Sequence, residues 1–133
     1  MNFKSKYLTK NKFPYFISEI GINHNGFLNL ALKMIKYSKK VGFNAVKFQK
    51  RTVDTLAVKS TLDASDERFP EFGSTYREVR EHLEFSLSEY AELREYSRSR
   101  GGDFLVTALD IDAVDFLLEG GVDGFKLATH PLP

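Results

Sequence analysis

Charged and hydroxyl side chains recur near the ends of four apolar segments of this sequence. They are Glu19, Lys47, Thr107 and Lys126. Successive side chains of a strand alternate between two faces, so each of these groups points away from the apolar neighbours that would pack under helices. A buried ammonium without a counter-charge loses much of its hydration energy. Because Glu19 alone cannot neutralise two inward lysines, the pattern predicts a phosphate or carboxylate ligand.

A simpler interpretation competes with this one, since a single lysine in a strand usually lies at an edge or on the surface. Two lysines in the same strand phase, with Glu19 and Thr107 at matching ends, favour a site. His24 alone is more typical of a loop hydrogen-bonding group than of a ligand. The three histidines show no HxxxH or HxH spacing, so we expect no metal site built within this chain.

The apolar periodicity predicts alternating strands and helices. Strands are predicted at 14–20, 44–49, 103–109 and 124–128, and helices at 28–42, 86–100 and 111–119, with a short helical piece at 76–82 inside a long surface connection from 50 to 85. Ser86 with Glu89 forms a capping-box pattern, and Asp110 can cap the following helix. On the helix-facing side we expect the apolar residues Val46, Phe48, Phe104, Val106, Phe125 and Leu127, and on the buried face of the first helix Val41.

The order β-α-β-α-β-α-β suits right-handed crossovers and a parallel sheet. Four βα steps are half of an eight-stranded barrel, and they could also form a small open sheet. The 133 residues lie far below the ~250 of a closed barrel. We therefore expect a lead-in segment at 1–13 and a single α/β domain at 14–133.

Composition excludes several classes of protein. The sequence has 19 lysines and arginines and 18 acidic residues, for a net charge of +1. This near balance argues against the strongly positive surface of a nucleic-acid-binding protein. Cysteine is absent, so no disulfide framework or thiolate site is possible. No signal peptide and no apolar run of ~18 residues is present. We expect a soluble, cytoplasmic protein without a membrane or nucleic-acid partner.

The sequence resembles the N-acetylneuraminate (sialic acid) synthase family. The motifs EIGINHNG, AVKFQ, YREVREHLEF, FLVTALD and GVDGFKLA occur in family order between Phe16 and Ala128. The resemblance implies the N-terminal half of a (β/α)₈ TIM barrel. It also implies a transferase of carbohydrate and polysaccharide biosynthesis that condenses phosphoenolpyruvate (PEP) with an open-chain N-acetylhexosamine, such as N-acetylmannosamine. The product is a nine-carbon 2-keto sugar acid, and phosphate is released.

The resemblance also assigns roles position by position. It implies PEP-binding positions at Lys47, Thr107, Lys126 and Thr129, and sugar-binding positions at Glu19, Gln49 and Asn23. Glu19 is in addition the implied catalytic residue, assisting proton transfer. A divalent metal, Mn²⁺ or Mg²⁺, is implied to polarise the aldehyde, with its ligands in the second half of the barrel and none in this chain. The family implies a homodimer, and leaves the sugar open between sialic, legionaminic and pseudaminic types.

The resemblance stops at KLAT, after which this chain reads HPLP and ends. A half-barrel leaves the edges of its first and fourth strands unpaired, so we expect the chain alone to be unstable, to associate, or to be inactive. Two other interpretations stay open. One is a truncated, non-catalytic remnant or anion-binding α/β module, and the other a sugar-phosphate aldolase in which Lys126 forms a Schiff base.

Overall fold

The computed structural model describes residues 14–128. The strands are β1 (Ile17–Gly21), β2 (Ala45–Lys50), β3 (Asp103–Ala108) and β4 (Gly124–Leu127). The helices are α1 (Leu28–Lys40), α2 (Lys59–Leu62), α3 (Tyr76–His82), α4 (Leu87–Ser99) and α5 (Ile111–Gly120), with a 3₁₀ turn at Val53–Thr55. The predicted lead-in at 1–13 and the predicted PEP contact at Thr129 lie outside the described residues.

The four strands form one parallel sheet in the order β1-β2-β3-β4. Helices follow β1 and β3 directly, and a long connection ending in α4 joins β2 to β3. This confirms the predicted α/β fold of a half-barrel. None of the helices in the described part of the chain has the length and apolar character needed to cross a bilayer.

The core lies between the sheet and its helices. Val46, Phe48, Phe104 and Val106 are fully buried there, as strand alternation predicts. They pack against Ile35, Leu93 and Leu117 from the three long helices α1, α4 and α5. Burying side chains of this size stabilises the fold by about 2 kcal/mol each. The opposite face of the sheet is thereby left for the polar groups.

Side-chain caps fix the starts of three helices. The Ser86–Glu89 capping box at α4 is present, and Thr75 with Glu78 forms a second one at α3. Asp110 caps α5, because its Oδ1 accepts a hydrogen bond from the Ala113 amide at 2.7 Å. Each cap satisfies backbone donors that a helix start leaves free.

Four expectations were wrong in detail. β1 begins at Ile17 and not at Pro14. Val41 is exposed, because α1 ends at Lys40 and places it beyond the buried face. Leu127 is 84% exposed, because no described helix covers that end of β4. The connection from 50 to 85 is no simple surface excursion, since it carries the buried residue Asp66.

Candidate functional site

Lys47 and Glu19 form an ion pair across neighbouring strands. They occupy paired positions of β2 and β1, and Nζ of Lys47 lies 2.6 Å from Oε1 of Glu19. The lysine side chain is 5% exposed and the glutamate side chain 60% exposed. We expected Glu19 on the opposite wall of the site from the two lysines; this is wrong for Lys47, because the two side chains are direct neighbours. The buried ammonium has its counter-charge within the chain.

Lys126 is solvent-exposed on β4, at the position paired with Thr107 of β3. It has no ion pair or hydrogen bond through its side chain within residues 14–128. The prediction that Lys126 is a buried, inward-facing lysine is thus wrong. β4 is the outer strand of the described sheet, so the Lys126 ammonium keeps its hydration. The consequence is a cation that is free to bind an anion.

The hydroxyl group of Thr107 is buried on the polar face of the sheet. The residue is only 3% exposed, and its Oγ1 has no hydrogen-bond partner within the described part of the chain. An unsatisfied buried hydroxyl costs on the order of 1–3 kcal/mol. It lies between Gln49 of β2 and Lys126 of β4 in the register of the sheet. A ligand at this position would supply the missing acceptor or donor.

Gly21 brings together the three residues assigned to the sugar. A Cβ atom built on Gly21 would lie 3.4 Å from Oε1 of Glu19, 3.6 Å from Nε2 of Gln49 and 4.0 Å from Nδ2 of Asn23. These carboxylate and amide groups are suited to hydroxyl and acetamido groups of a sugar. A bulge in β1 between Glu19 and Gly21 and a positive φ of 59° at Gly21 shape this corner.

Three further contacts hold the corner in place. Nδ2 of Asn23 donates to the carbonyl of Ile20 at 2.8 Å. Nη2 of Arg51 donates to Oε1 of Gln49 at 2.7 Å. This contact does not use the side-chain N–H groups of Gln49. The Tyr90 hydroxyl donates to the backbone carbonyl of Gln49 at 2.6 Å. Gln49 is thus oriented from both its side chain and its backbone.

His24 belongs to the core. It is 1% exposed and stacks on Phe85 with ring centroids 4.3 Å apart. Its Nδ1 accepts a hydrogen bond from the Gly26 amide at 3.1 Å. Burial lowers the pKa of His24 to about 4, so the ring is neutral near pH 7. This agrees with its interpretation as a hydrogen-bonding group of the loop.

The motif loop that contains His24 is anchored to the end of α3. Nε2 of His82 lies 3.1 Å from the carbonyl oxygen of Asn25. Gly26 has φ of 77°, and a Cβ at this position would lie 2.2 Å from the carbonyl oxygen of His82. Only glycine permits so close an approach. The motif glycine therefore joins the loop to the long connection after β2.

Sequence reasoning missed a buried charged cluster beside Gln49. Nζ of Lys50 lies 3.0 Å from Oε2 of Glu84, and Nε of Arg51 lies 3.7 Å from Oε1 of the same glutamate. Burial raises the pKa of Glu84, although Lys50 opposes this, and burial lowers the pKa of Arg51. The run KFQKR, at the end of the second strand, was the available signal. Only a three-dimensional view pairs it with Glu84.

A metal site does not fit the residues present. Within residues 14–128 no group of three or more His, Cys, Asp or Glu side chains could hold an ion. The divalent metal that the resemblance implies would need ligands from outside residues 14–128.

Comparisons with known proteins match this arrangement. The model of the NeuB family matches residues 34–132. N-acetylneuraminate-9-phosphate synthase of Homo sapiens is 36% identical over 115 residues, which cover 86% of this chain and 32% of that protein. N,N'-diacetyllegionaminic acid synthase of Legionella pneumophila is 37% identical over 117 residues, covering 86% and 33%. The chain thus spans about a third of the length of the curated relatives it matches.

The fold also matches a solved structure. An N-acetylneuraminic acid synthetase of Leptospira borgpetersenii, crystallised in complex with citrate, superposes with a TM-score of 0.64 at 30% identity. The superposition covers 85% of this chain and 35% of that protein.

Proposed function

The chain belongs to the NeuB family, and we propose that it forms the PEP-binding strands and part of the sugar site of a sugar acid synthase. The reaction joins C3 of PEP to the aldehyde carbon of an open-chain N-acetylhexosamine such as N-acetylmannosamine. Water adds at C2, and cleavage of the C–O bond releases phosphate. A cytoplasmic location and a homodimer, implied by the family resemblance, stay predictions.

The observation that carries this proposal is the common face of Lys47, Thr107 and Lys126. The three residues lie on neighbouring strands, and Thr107 and Lys126 are paired in register. Lys47 contributes a buried ammonium, Lys126 an exposed ammonium, and Thr107 a buried hydroxyl without a hydrogen-bond partner among residues 14–128. Charge-assisted hydrogen bonds from such groups suit a small anion that carries a phosphate and a carboxylate.

The corner around Gly21 supports the second half of the proposal. Glu19 connects the anion-binding face to the proposed sugar-binding side chains. It forms an ion pair with Lys47, and it lies beside Gln49 at Gly21. Its exposed carboxylate can accept a hydrogen bond from a sugar hydroxyl or a proton during the reaction. Gln49, held by Arg51, positions the acceptor sugar next to the anion-binding face.

The aldolase alternative loses support. A Schiff-base lysine is activated by desolvation or by a neighbouring cation. Lys126 is exposed, so it lacks the environment that would activate its amine. The sugar itself stays open, because the matched relatives include a synthase of a phosphorylated product and a legionaminic acid synthase.

Calorimetric titration of the chain with PEP tests the proposal. Lys126→Gln changes an exposed side chain and is expected to weaken binding about fivefold to tenfold. Lys36→Gln, at an exposed position of α1, makes the same charge change away from the site and is expected to leave binding unchanged. Equal affinities for the original chain and both variants would contradict the assignment. Phosphate release with PEP and N-acetylmannosamine then separates a catalytic chain from an anion-binding module.

A further inference from the structure

The segment 82–85, with the sequence HLEF, runs from the last residue of α3 toward the start of α4. This HLEF segment belongs to one of the motifs that carry the family resemblance, and none of its residues has a role in the proposed function. Leu83 and Phe85 are 8% and 3% exposed and lie in the interior of the fold. Because these two apolar side chains hold the segment in place, His82 and Glu84 make their contacts from a fixed position.

The HLEF segment contacts the motif loop that contains Asn23, one of the proposed sugar-binding residues. Nε2 of His82 lies 3.1 Å from the carbonyl oxygen of Asn25. Phe85 stacks on His24, with ring centroids 4.3 Å apart and an angle of 28° between the rings. Two side chains of the segment therefore hold two successive residues of the loop, and Asn23 directly precedes them in the chain.

The same segment holds the end of β2 through Glu84. Oε2 of Glu84 accepts hydrogen bonds from Nζ of Lys50 at 3.0 Å and from the backbone amide of Arg51 at 3.3 Å. Its Oε1 lies 3.7 Å from Nε of Arg51. The Glu84 side chain is only 10% exposed, so solvent screens these charged contacts weakly. Glu84 thus fixes the two residues that follow Gln49, and with them the position of the Arg51 guanidinium.

The Arg51 guanidinium determines which way the Gln49 side-chain amide points. A guanidinium has N–H donors and no acceptor, so its Nη2 contact at 2.7 Å requires Oε1 of Gln49 to face it. The Gln49 amide nitrogen lies on the other side, 3.6 Å from a Cβ built on Gly21. Glu19 borders the same position with a carboxylate oxygen. Gln49 therefore offers donors and Glu19 offers acceptors, and one sugar hydroxyl can use both.

We infer that the HLEF segment positions both sides of the proposed sugar site, with Glu84 as the positioning residue for Gln49. Glu84 acts through Arg51, which turns the N–H groups of Gln49 toward the sugar. His82 acts on the other side, by holding the loop that carries Asn23. The inference rests on the proposed function, because the sugar is the ligand that these groups would meet. It gives the polar residues of the HLEF segment a role that its apolar packing alone would not require.

Side-chain NMR of Gln49 tests the orientation without any ligand. In the original chain, we expect a nuclear Overhauser effect between the Gln49 amide protons and the α protons of Gly21, because these groups are neighbours. Glu84→Gln should abolish this signal, since Arg51 loses its counter-charge. Glu92→Gln, at an exposed position of α4, makes the same charge change and should keep the signal. An unchanged signal in Glu84→Gln would overturn the inference.

Arg51→Met is the second variant, because it leaves the contact between Lys50 and Glu84 in place. It tests the same orientation whether or not Glu84→Gln folds. It should also abolish the signal between Gln49 and Gly21, with a backbone amide spectrum that shows a folded chain. Persistence of the signal in folded Arg51→Met would likewise contradict the inference.

Titration with N-acetylmannosamine and with PEP separates positioning from a general structural role. Glu84→Gln should weaken binding of the sugar about fivefold and leave the PEP affinity unchanged. Glu84→Gln combined with Arg51→Met should bind the sugar no more weakly than Arg51→Met alone, because Glu84 acts through Arg51. Additive losses, or equal losses of sugar and PEP affinity, would overturn the inference. No measurable sugar binding by the original chain would also overturn it, while PEP binding sensitive to Lys126→Gln would still support the proposed function.

Discussion

Nζ of Lys47 lies 2.6 Å from Oε1 of Glu19, and the lysine is buried while the glutamate is largely exposed. The pair joins the anion-binding face, formed by Lys47, Thr107 and Lys126, to the sugar corner, formed by Glu19, Gln49 and Asn23 around Gly21. It also means that Glu19 competes with any bound anion for the same ammonium. Removing the Glu19 carboxylate and removing the Lys47 ammonium should therefore have opposite effects on anion binding.

Glu19→Gln is expected to raise the PEP affinity about threefold, because a carboxylate that repels the ligand and occupies Lys47 is lost. It should lower the free energy of unfolding by about 1 kcal/mol, a modest cost because Glu19 is well exposed. Calorimetry and urea unfolding measure the two effects. Lys47→Gln is the comparison, and it should weaken PEP binding. A parallel loss of affinity in both variants would refute the competition.

Thr107→Val is expected to leave the free energy of unfolding unchanged or to raise it by up to about 1 kcal/mol, because the buried hydroxyl has no hydrogen-bond partner to lose within residues 14–128. The same change should weaken PEP binding about fivefold. Thr52→Val provides the contrast, since its hydroxyl donates to Asp110 and its loss should cost about 1 kcal/mol. Destabilisation by Thr107→Val equal to that of Thr52→Val would show that the hydroxyl has a structural role.

The stability of the chain should fall between pH 6.5 and pH 4 through His24. Burial lowers its pKa from 6.5 to about 4 in the folded state, so the unfolded chain binds more protons over this range. The contribution is complete above pH 6.5 and is lost as the pH falls, to a total of at most about 3 kcal/mol. Urea unfolding at several pH values measures it.

His24→Phe removes the titrating group and keeps an aromatic ring against Phe85, so its unfolding free energy should fall less steeply over the same range. Carboxylates contribute equally to both proteins, and only the difference between the two curves reports on His24. Parallel curves would mean that His24 is accessible to protons in the folded state.

Gly26→Ala is expected to cost about 3 kcal/mol or more, because it adds a Cβ 2.2 Å from the His82 carbonyl oxygen at a φ of 77°. Gly42→Ala is the matched control, with φ of 97° and no atom within 4 Å of the added Cβ. It should cost only about 1–2 kcal/mol. Thermal unfolding of the two variants compares them, and equal losses would rule out a steric role for the contact with His82.

The sequence was sufficient for the fold because its signals are local. Strand alternation predicted which side of β2 and β3 packs under the helices, and capping residues such as Ser86 and Asp110 marked helix starts. The parity argument also placed Lys47 and Thr107 on the face opposite the core. Each of these signals depends on residues close together in the chain.

The charge balance of the site could not be predicted in this way. The exposure of Lys126 depends on β4 being the outer strand of the described sheet, and the neutralisation of Lys47 depends on the pairing of β1 with β2. The contacts of Arg51 with Glu84 join residues 33 positions apart. Contacts between residues so far apart depend on how the long connection between β2 and β3 packs. A local sequence pattern does not predict that packing.

The order of the strands in the described sheet is the same as their order in the chain, so each strand after β1 pairs with the strand that precedes it in the sequence. A chain emerging from the ribosome can therefore add one βα unit at a time to an edge that is already formed, without waiting for a distant strand. We expect folding during synthesis to proceed in steps that follow β1 through β4. The Lys47–Glu19 pair would then form early, when β2 docks on β1, and Thr107 would join the anion-binding face only after α4 has been synthesised.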